Sequence, residues 1–252
     1  MTSVAIDDDL RARIHTLEAQ LAQRTEEAER KEEQLLSFAA DLNATFQQER
    51  ERSDELHRSY MLTVRALASA VEARDAYTGR HAERVAAYGL AIAEVYGMRL
   101  SDAPEIEFGF LLHDAGKVAV PDAILFKPGP LTQAERLVMQ QHPVTGSEIV
   151  REIDFLGAAR DVIRSHHERW DGSGYPDGLA GEQIPLSARV FAVADTLDAL
   201  TTRRPYREAS SIAEARAVID AGAGKHFDPD VIVAFRALPD ATIEAIRERI
   251  GR

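Results

Sequence analysis

The stretch SDAPEIEFGFLLHDAGK, residues 101–117, joins a run of apolar residues directly to a histidine and an aspartate. The apolar residues of this run are Phe108, Phe110, Leu111 and Leu112. Such a run predicts a buried helix, with His113 and Asp114 as neighbours on it. Neighbouring residues on a helix point about 100° apart, which lets one of them bind a single ion while the other bridges two. The stretch therefore predicts a two-metal site on a buried helix.

Helical patterns continue on both sides of this stretch. HAERVAAYGLAIAEVYG, residues 81–97, predicts a helix with Gly97 as its C-terminal cap. Proline and glycine place loops at PDAILFKPGPLT and at GAGKHFDPD. The sequence shows no alternating strand of useful length and no internal repeat. We therefore predict an all-α fold, with at most a minor hairpin near a glycine-rich loop.

The N-terminal segment predicts one long helix, because residues 10–67 contain neither glycine nor proline and are rich in Glu, Gln, Arg, Ala and Leu. The apolar residues that follow a heptad spacing are Leu10, Ile14, Leu17, Leu21, Leu35, Phe38 and Leu42. This seam is interrupted at Arg24, Ala28 and Lys31 and predicts a weak two-stranded coiled coil, hence a homodimer. The alternative is a solvated helix or a frayed tail. We expect residues 1–60 to form this helix and residues 61–252 to form the catalytic domain.

Composition excludes several classes of protein. The chain has no cysteine, so a metal must be bound by histidine and carboxylate, and a cytoplasmic location is expected. The N-terminus lacks the apolar core of a signal peptide, and no apolar run is long enough to span a membrane. The net charge of −12 argues against DNA or RNA as a partner. The charge does not exclude an anionic small substrate, because bound cations can outweigh the negative field of the protein at the site.

Further candidate ligands are spread over residues 81–195. They are His81, His142, His166, His167 and Asp195, in addition to His113 and Asp114. RVFAVADTLDAL, residues 189–200, places Asp195 on an apolar helix, where a buried carboxylate requires a cation. Each residue alone has an ordinary alternative: a histidine satisfied in the core, or an aspartate that caps a helix or pairs with arginine. As an ordered set they favour a metal centre.

The chain from about residue 60 to about residue 240 resembles the HD-GYP domains, a branch of the HD phosphohydrolase superfamily. The motifs that carry the resemblance are RDAYTGRH, HDAGK, HHERWDGSGYP, RVFAVADTLDALTTRRPYR and HFDPD. The resemblance implies an HD-type helical bundle preceded by the long helix. It implies a phosphodiesterase that hydrolyses cyclic di-GMP to linear pGpG and leaves a second cleavage to GMP open. The alternatives are an HD phosphohydrolase acting on another cyclic or linear nucleotide, and a non-catalytic receptor or scaffold.

The resemblance also implies a ligand set and a mechanism. Asp114 would bridge two divalent ions, with Fe or Mn as the expected metals. The remaining ligands would be His81, His113, His142, His166, His167 and Asp195. Two such ions would lower the pKa of a bridging water from about 15.7 towards neutrality for attack on phosphorus. Some relatives hold a third metal through a glutamate at the position of Tyr77, so two metals are expected here.

Roles in substrate handling follow from the same resemblance. Lys117, four residues after His113 and so on the same face of the predicted helix, would reach a substrate phosphate, and Asp75 would orient it as a catalytic partner. His166 and His167 would stand at the end of a helix, and the glycine loop after them would offer backbone amides and an open entry surface. The residues expected to contact substrate are Lys117, Gly174, Tyr175, Pro176, Arg204 and Arg207. For Lys117, Arg204 and Arg207 a purely structural role is the alternative, and Tyr175 either stacks on a guanine or lines the loop.

Overall fold

The computed structural model describes residues 2–74, 80–100, 103, 105–203 and 208–251. The chain divides into two compact units, Met1–Ser59 and Tyr60–Arg252.

The first unit is a single helix as far as it is described. It belongs to α1, Thr2–Glu72, which continues into the second unit. The large apolar residues of the seam are all at least half exposed in this structure: Leu10, Ile14, Leu17, Leu21, Leu35, Phe38 and Leu42. The long helix is therefore confirmed, and its pairing with a second copy stays a prediction.

The second unit is built from short and medium helices. In its described residues the α-helices after α1 are α2 His81–Tyr96, α3 Glu105–Leu112, α4 Asp122–Leu125, α5 Gln133–Met139, α6 His142–Ile149, α7 Gly157–Ser165, α8 Leu186–Thr201, α9 Ile212–Ala221, α10 Pro229–Ala237 and α11 Asp240–Ile250. Short 3₁₀ helices cover Ala115–Ala119, Asp154–Leu156 and Gly181–Gln183.

The core of this unit lies between α2, α3, α7 and α8. Helix α2 packs against α8, and α3 packs against α7. The rings of Phe110 on α3 and Phe191 on α8 meet in the centre, with centroids 5.6 Å apart. Helix α6 packs against α7 and against the 3₁₀ helix that follows α3. This packing brings the ends of α3, α6 and α7 together beside α8.

The all-α architecture is confirmed, since the described residues contain helices and only isolated β-bridges. The bridge between Asp171 and Ala180 stands where a minor hairpin was expected. Gly97 caps α2 with a φ of 93°, a left-handed conformation that glycine adopts without strain. Among the described helices, none combines the length and apolar character that crossing a bilayer requires.

One local expectation is wrong. His113 and Asp114 do not lie on a helix: α3 ends at Leu112, and the pair forms the turn before the 3₁₀ helix. The chain turns here because the next segment, around Gly116, lies directly against α6. The separation of about 100° expected on a helix therefore does not set the directions of these two side chains.

Candidate metal centre

The residues expected to bind metal come mostly from helix ends. His81 is the first residue of α2 and His142 the first residue of α6. His166 caps the C-terminus of α7, and His167 follows it. Asp195 alone lies inside a helix, α8. A residue at the end of a helix has no further helical turn on one side of it. Side chains from the ends of several helices can therefore approach one point.

The carboxylate of Asp114 lies among these histidines. Its Oδ1 is 3.3 Å from Nε2 of His142 and 4.0 Å from Nε2 of His166. Its Oδ2 is 3.1 Å from Nε2 of His113. The two oxygens thus face different histidines, an arrangement in which one carboxylate can serve two ions.

The histidines divide into two sides of this carboxylate. On the first, the three-histidine side, ligand atoms of His142, His166 and His167 all lie within 4.8 Å of one another. On the second, the His81 side, Nε2 of His81 lies 3.5 Å from Oδ1 of Asp195, and the His81 ring is 5.5 Å from that of His113. Each side therefore offers nitrogen and carboxylate donors.

Backbone carbonyls orient three of the rings. Nδ1 of His113 lies 2.9 Å from the carbonyl of Phe110. Nδ1 of His142 lies 2.8 Å from the carbonyl of Met139, and His166 makes the same contact with the residue three before it, also at 2.8 Å. Because a carbonyl oxygen only accepts, the proton of each neutral ring is on Nδ1 and the lone pair is on Nε2. These rings therefore present their metal-binding nitrogen to the centre.

The spacing of two of these nitrogens fits a bound cation. Nε2 of His142 lies 3.1 Å from Nε2 of His166, and both rings are already held through Nδ1. Two lone pairs that face each other at this distance repel unless a cation or a proton lies with them. Imidazole and carboxylate donors without sulfur suit Fe, Mn or a similar divalent ion. The residues therefore fit the metal that the sequence predicts.

The electrostatics of the three-histidine side favour neutral rings. Burial, then the charge of the neighbouring His167, lowers the pKa of His166 well below its ordinary value. Burial, then the charge of His142, lowers the pKa of His167 to about 3. Burial would raise the pKa of Asp114, but the charges of His113 and Lys117 outweigh it and hold this pKa well below its ordinary value. The carboxylate is thus ionised and two of its neighbours are neutral, as ligands must be.

His81 is held differently, by a buried carboxylate that sequence reasoning missed. Its Nδ1 lies 2.7 Å from Oδ2 of Asp198, whose side chain is 2% exposed. Arg84 donates to the same carboxylate, from Nε to Oδ1 at 2.6 Å and from Nη2 to Oδ2 at 3.2 Å. Burial lowers the pKa of His81, but the hydrogen bond to Asp198 and the charge of Asp195 outweigh it and raise this pKa.

The start of α2 is fixed from α1. Oε1 of Glu72 accepts a hydrogen bond of 2.6 Å from the backbone N–H of Ala82, the residue after His81. A small cavity lies here, lined by Glu72, His81, His113 and Asp114 among others. The backbone at His81 and the ring of His81 are therefore held by two different helices, α1 and α8.

Lys117 lies in the 3₁₀ helix after Asp114, not on the helix face expected for it. Its Nζ is 2.8 Å from Oδ2 of Asp114, and its side chain is 21% exposed. The ammonium group therefore stands at the edge of the centre, against the carboxylate that the histidines surround.

The glycine loop after His167 is closed on itself by Glu168. This carboxylate accepts from the backbone N–H groups of Asp177, Gly178 and Leu179, at 2.7, 3.0 and 3.1 Å. The N–H of Tyr175 donates to the carbonyl of His167 at 3.3 Å. The expectation that this loop offers its backbone amides to substrate is wrong for these four groups, because each already has a partner inside the protein.

The GYP residues themselves lie against the histidines. The ring of Tyr175 stacks on His167, with centroids 4.7 Å apart. A Cβ at Gly174 would come within 2.6 Å of the backbone of residues 167–169, so only glycine fits there. The bond between Tyr175 and Pro176 is cis. The loop thus covers the outer side of His167, which leaves the substrate roles of Gly174, Tyr175 and Pro176 as predictions.

Gly116 makes a second close approach, between the turn and α6. A Cβ at this position would lie 1.9 Å from the carbonyl oxygen of His142 and 2.6 Å from the backbone nitrogen of Gly146. The missing side chain therefore lets the Asp114 turn and the His142 helix end come together.

Some expected site residues lie outside the described residues. These are Asp75, the expected partner of Lys117, Tyr77, at the position of the third-metal glutamate, and the substrate candidates Arg204 and Arg207.

The residues that the sequence did not reveal are Arg84, Glu168 and Asp198, all at most 3% exposed. A signal for Asp198 was present, because it follows Asp195 by three residues on an apolar helix and so lies near it on the same side. The partner of Arg84 lies 114 residues further along the chain, and the amides that Glu168 binds lie 9, 10 and 11 residues away in a loop, so helical spacing gives no sign of either.

Comparisons with known proteins identify the family of the chain. The HD domain family model matches residues 65–231. A cyclic di-GMP phosphodiesterase response regulator of Xanthomonas campestris is 41% identical over 228 residues, covering 90% of this chain and 57% of that protein. The 3′3′-cGAMP-specific phosphodiesterase 2 of Vibrio cholerae is 42% identical over 204 residues, covering 76% of this chain and 38% of that protein. The chain thus spans about half the length of the curated relatives it matches.

The fold has counterparts among solved structures. A cyclic GMP-AMP specific phosphodiesterase of V. cholerae superposes with a TM-score of 0.54 and 20% sequence identity. The match covers 75% of this chain and 53% of that chain. At this level of identity the likeness concerns the fold.

Proposed function

The chain belongs to the HD domain family, in its HD-GYP branch, and from this premise we propose that it is a metal-dependent phosphodiesterase that hydrolyses a cyclic dinucleotide. The observation that carries the proposal is the convergence of His142, His166 and His113 on the two oxygens of Asp114. The preferred substrate is cyclic di-GMP, the substrate named for the relative that matches most of this chain. The first product is linear pGpG. Because pGpG carries its terminal phosphate on a 5′ oxygen, water adds to phosphorus and the P–O3′ bond breaks.

We assign one divalent ion to each side of Asp114. The three-histidine side, with Oδ1 of Asp114, would hold the first, and the His81 side, with His113, Asp195 and Oδ2 of Asp114, would hold the second. Such ions, Fe or Mn by the type of the donors, would supply positive charge for the phosphodiester oxygens and would activate water for the attack. Tyr77 in place of a glutamate supports two ions rather than three.

The protein's own residues orient and charge the site. Carbonyls and Asp198 keep Nε2 of each anchored ring directed inward. Lys117, held at the edge by Asp114, would contact a substrate phosphate, which offers its ammonium a further anionic partner. Asp75, Arg204, Arg207 and the GYP residues keep the roles that the family resemblance implies.

A second candidate substrate is 3′3′-cGAMP, because a relative 42% identical to this chain is named for it. The test is an anaerobic preparation whose metal content is measured before it is incubated with cyclic di-GMP, 3′3′-cGAMP, cyclic di-AMP and linear pGpG. Product analysis over time shows which ring is opened and whether GMP follows. Binding without hydrolysis in the metal-loaded protein would favour a receptor over an enzyme, and consumption of linear nucleotides alone would favour another phosphohydrolase.

We also propose that the first unit pairs with a second copy of the chain, in the cytoplasm and without DNA or RNA. The exposed apolar seam supports pairing, because water contact with these residues is unfavourable. Sedimentation at tens of micromolar should show a dimer for the full chain and less dimer for a chain that starts near residue 60. Leu35→Lys, on the seam, should weaken the dimer. Ala40→Lys, which adds the same charge on the opposite helix face, should not, and a monomeric full chain would disprove the pairing.

A further inference from the structure

The second side of the centre depends on a buried pair with no assigned role. Asp198 and Arg84 are 2% and 3% exposed and bind each other through two hydrogen bonds, of 2.6 and 3.2 Å. Removing one member would leave an uncompensated buried charge, which is strongly destabilising. A buried ion pair that only stabilises the fold, however, need not contact a candidate ligand, and this one contacts His81 at 2.7 Å.

We propose that Asp198 and Arg84 are positioning residues that make His81 a metal ligand. The inference rests on the proposed function, because it assumes an ion on the His81 side. Asp198 accepts the Nδ1 proton of His81, so the lone pair of the neutral ring is on Nε2, the atom that faces Asp195 at 3.5 Å. Arg84 binds both oxygens of Asp198 and so fixes the plane of the carboxylate.

The chemistry of an amide at position 198 makes the idea testable. Asn has one accepting oxygen and one donating NH₂ group. The guanidinium of Arg84 only donates and carries a full charge, so it would take the oxygen and leave the NH₂ facing His81. Nδ1 of His81 would then accept, and its proton would lie on Nε2, so the ring would have to give up this hydrogen bond before the nitrogen aimed at the metal could bind it.

The structure offers a matched control in the same unit. Asp228 is also buried, with a side chain 1% exposed, and binds Arg189 at 2.6 Å. It contacts none of the candidate ligands in the described contacts and caps α10 by accepting from the N–H of Asp230 at 2.8 Å. Asn retains capping ability. Asp228→Asn therefore perturbs a buried aspartate–arginine pair as Asp198→Asn does, away from the histidines.

The experiment titrates Mn²⁺ into metal-stripped full-length protein and measures the number of sites and the affinity of each. We expect two ions in the wild type. Asp198→Asn should keep one at wild-type affinity and bind the second about 10–100-fold more weakly, the usual effect of losing such a partner. Arg84→Lys, which keeps the charge but not the two-point contact, should show a smaller loss in the same ion. Asp228→Asn should bind both ions as the wild type does.

The outcomes separate the two levels of the argument. If the wild type binds two ions and Asp198→Asn behaves like Asp228→Asn, the positioning role is wrong and the metal centre stands. A wild type that binds no Mn²⁺ overturns both. If Asp198→Asn fails to fold by circular dichroism, Arg84→Lys decides: an unchanged second affinity in that folded variant rejects the proposal.

Discussion

Backbone carbonyls hold a histidine on each side of the centre, but His81 alone is held by a carboxylate. On the three-histidine side, His142 and His166 are anchored by neutral backbone carbonyls, and burial lowers the pKa of His166. On the His81 side, a buried carboxylate anchors the ring and raises the pKa of His81. A carbonyl fixes the tautomer without attracting a second proton, whereas a carboxylate also stabilises the imidazolium. Without metal, His166 and His167 are thus neutral, whereas His81 tends to carry a proton.

This difference implies that the two ions face different competition. An ion that enters the three-histidine side displaces no proton from His166 or His167, since these rings are already neutral near pH 7. An ion on the His81 side competes with a proton that Asp198 and Asp195 favour. Asp114 belongs to both sides. Its loss should therefore weaken the binding of both ions, whichever way the histidines of each side are held.

The largest expected effect is therefore that of Asp114→Ala. Without the shared carboxylate both ions should bind much more weakly, and hydrolysis should fall by at least about 1,000-fold, while helicity is retained. Metal analysis, circular dichroism and turnover on one preparation check this. A variant that kept both ions and full turnover would exclude Asp114 as the bridge.

Lys117→Ala should give the next largest effect. The ammonium group of Lys117 contacts Oδ2 of Asp114 at 2.8 Å and has no lone pair to offer a metal, so both ions should remain. Loss of a charge beside the reacting phosphate should lower turnover by about 100-fold. Mn²⁺ titration and turnover are measured together, and unchanged kinetics would return Lys117 to a structural role.

Lys127→Ala is a suitable control for this substitution. Lys127 is paired with Glu135 at 2.6 Å and contacts none of the candidate ligands in the described contacts. Turnover should be unchanged, and an equal loss in both variants would point to an unspecific charge effect.

Gly116→Ala should separate the two sides structurally. The added Cβ would lie 1.9 Å from the carbonyl of His142, so α6 must move, at a cost of about 1–3 kcal/mol in stability. The ion of the three-histidine side should weaken more than that of the His81 side. Gly157→Ala is the control, because a Cβ at Gly157 meets no atom within 4 Å. Chemical denaturation and metal titration give both quantities, and equal weakening of the two ions would contradict the division.

The sequence was sufficient for the helical class and for the convergence of most of the candidate ligands, because both depend on local composition and on motif order. It was not sufficient for how the ligands are held. The end of α3 at Leu112 depends on the contact of Gly116 with α6, which is 26 residues further along at His142. The amides that Glu168 binds lie only 9, 10 and 11 residues away, but they meet it through the path of an irregular loop rather than through helical spacing. Such partners are set by tertiary packing, so neither periodicity nor spacing predicts them.

Asp198 is an intermediate case. Its position three residues after Asp195 on an apolar helix was visible in the sequence. The buried carboxylate expected at Asp195 is in fact at Asp198: the Asp195 side chain is 34% exposed and that of Asp198 is 2% exposed, so Asp198 is the one that needs a partner. Its partners are Arg84 and His81, both on α2, and they reach it because α2 packs against α8. The pattern thus identifies the residue, and only the fold assigns what it contacts.

The one effect expected in the absence of metal is the pH dependence of stability. An unfolded histidine has a pKa of about 6.5, whereas the pKa of His167 is about 3 in the folded chain and that of His166 is also lowered. As pH falls below about 6.5, the unfolded state binds protons that these two rings do not, so the free energy of unfolding should decrease, by up to about 1.4 kcal/mol per pH unit for each ring. His81 acts in the opposite direction near pH 6.5, because its raised pKa lets the folded state bind the proton first, and it adds no slope below about pH 5.5, where it is protonated in both states. His226, whose pKa is also lowered by burial, adds to the decrease.

Urea unfolding in the presence of a chelator should therefore show that stability falls between pH 6.5 and 4.5, with a shallower slope in His167→Gln. A stability that rises as the pH is lowered would mean that the histidines of this side are protonated in the folded chain, and would remove the contrast between the two sides.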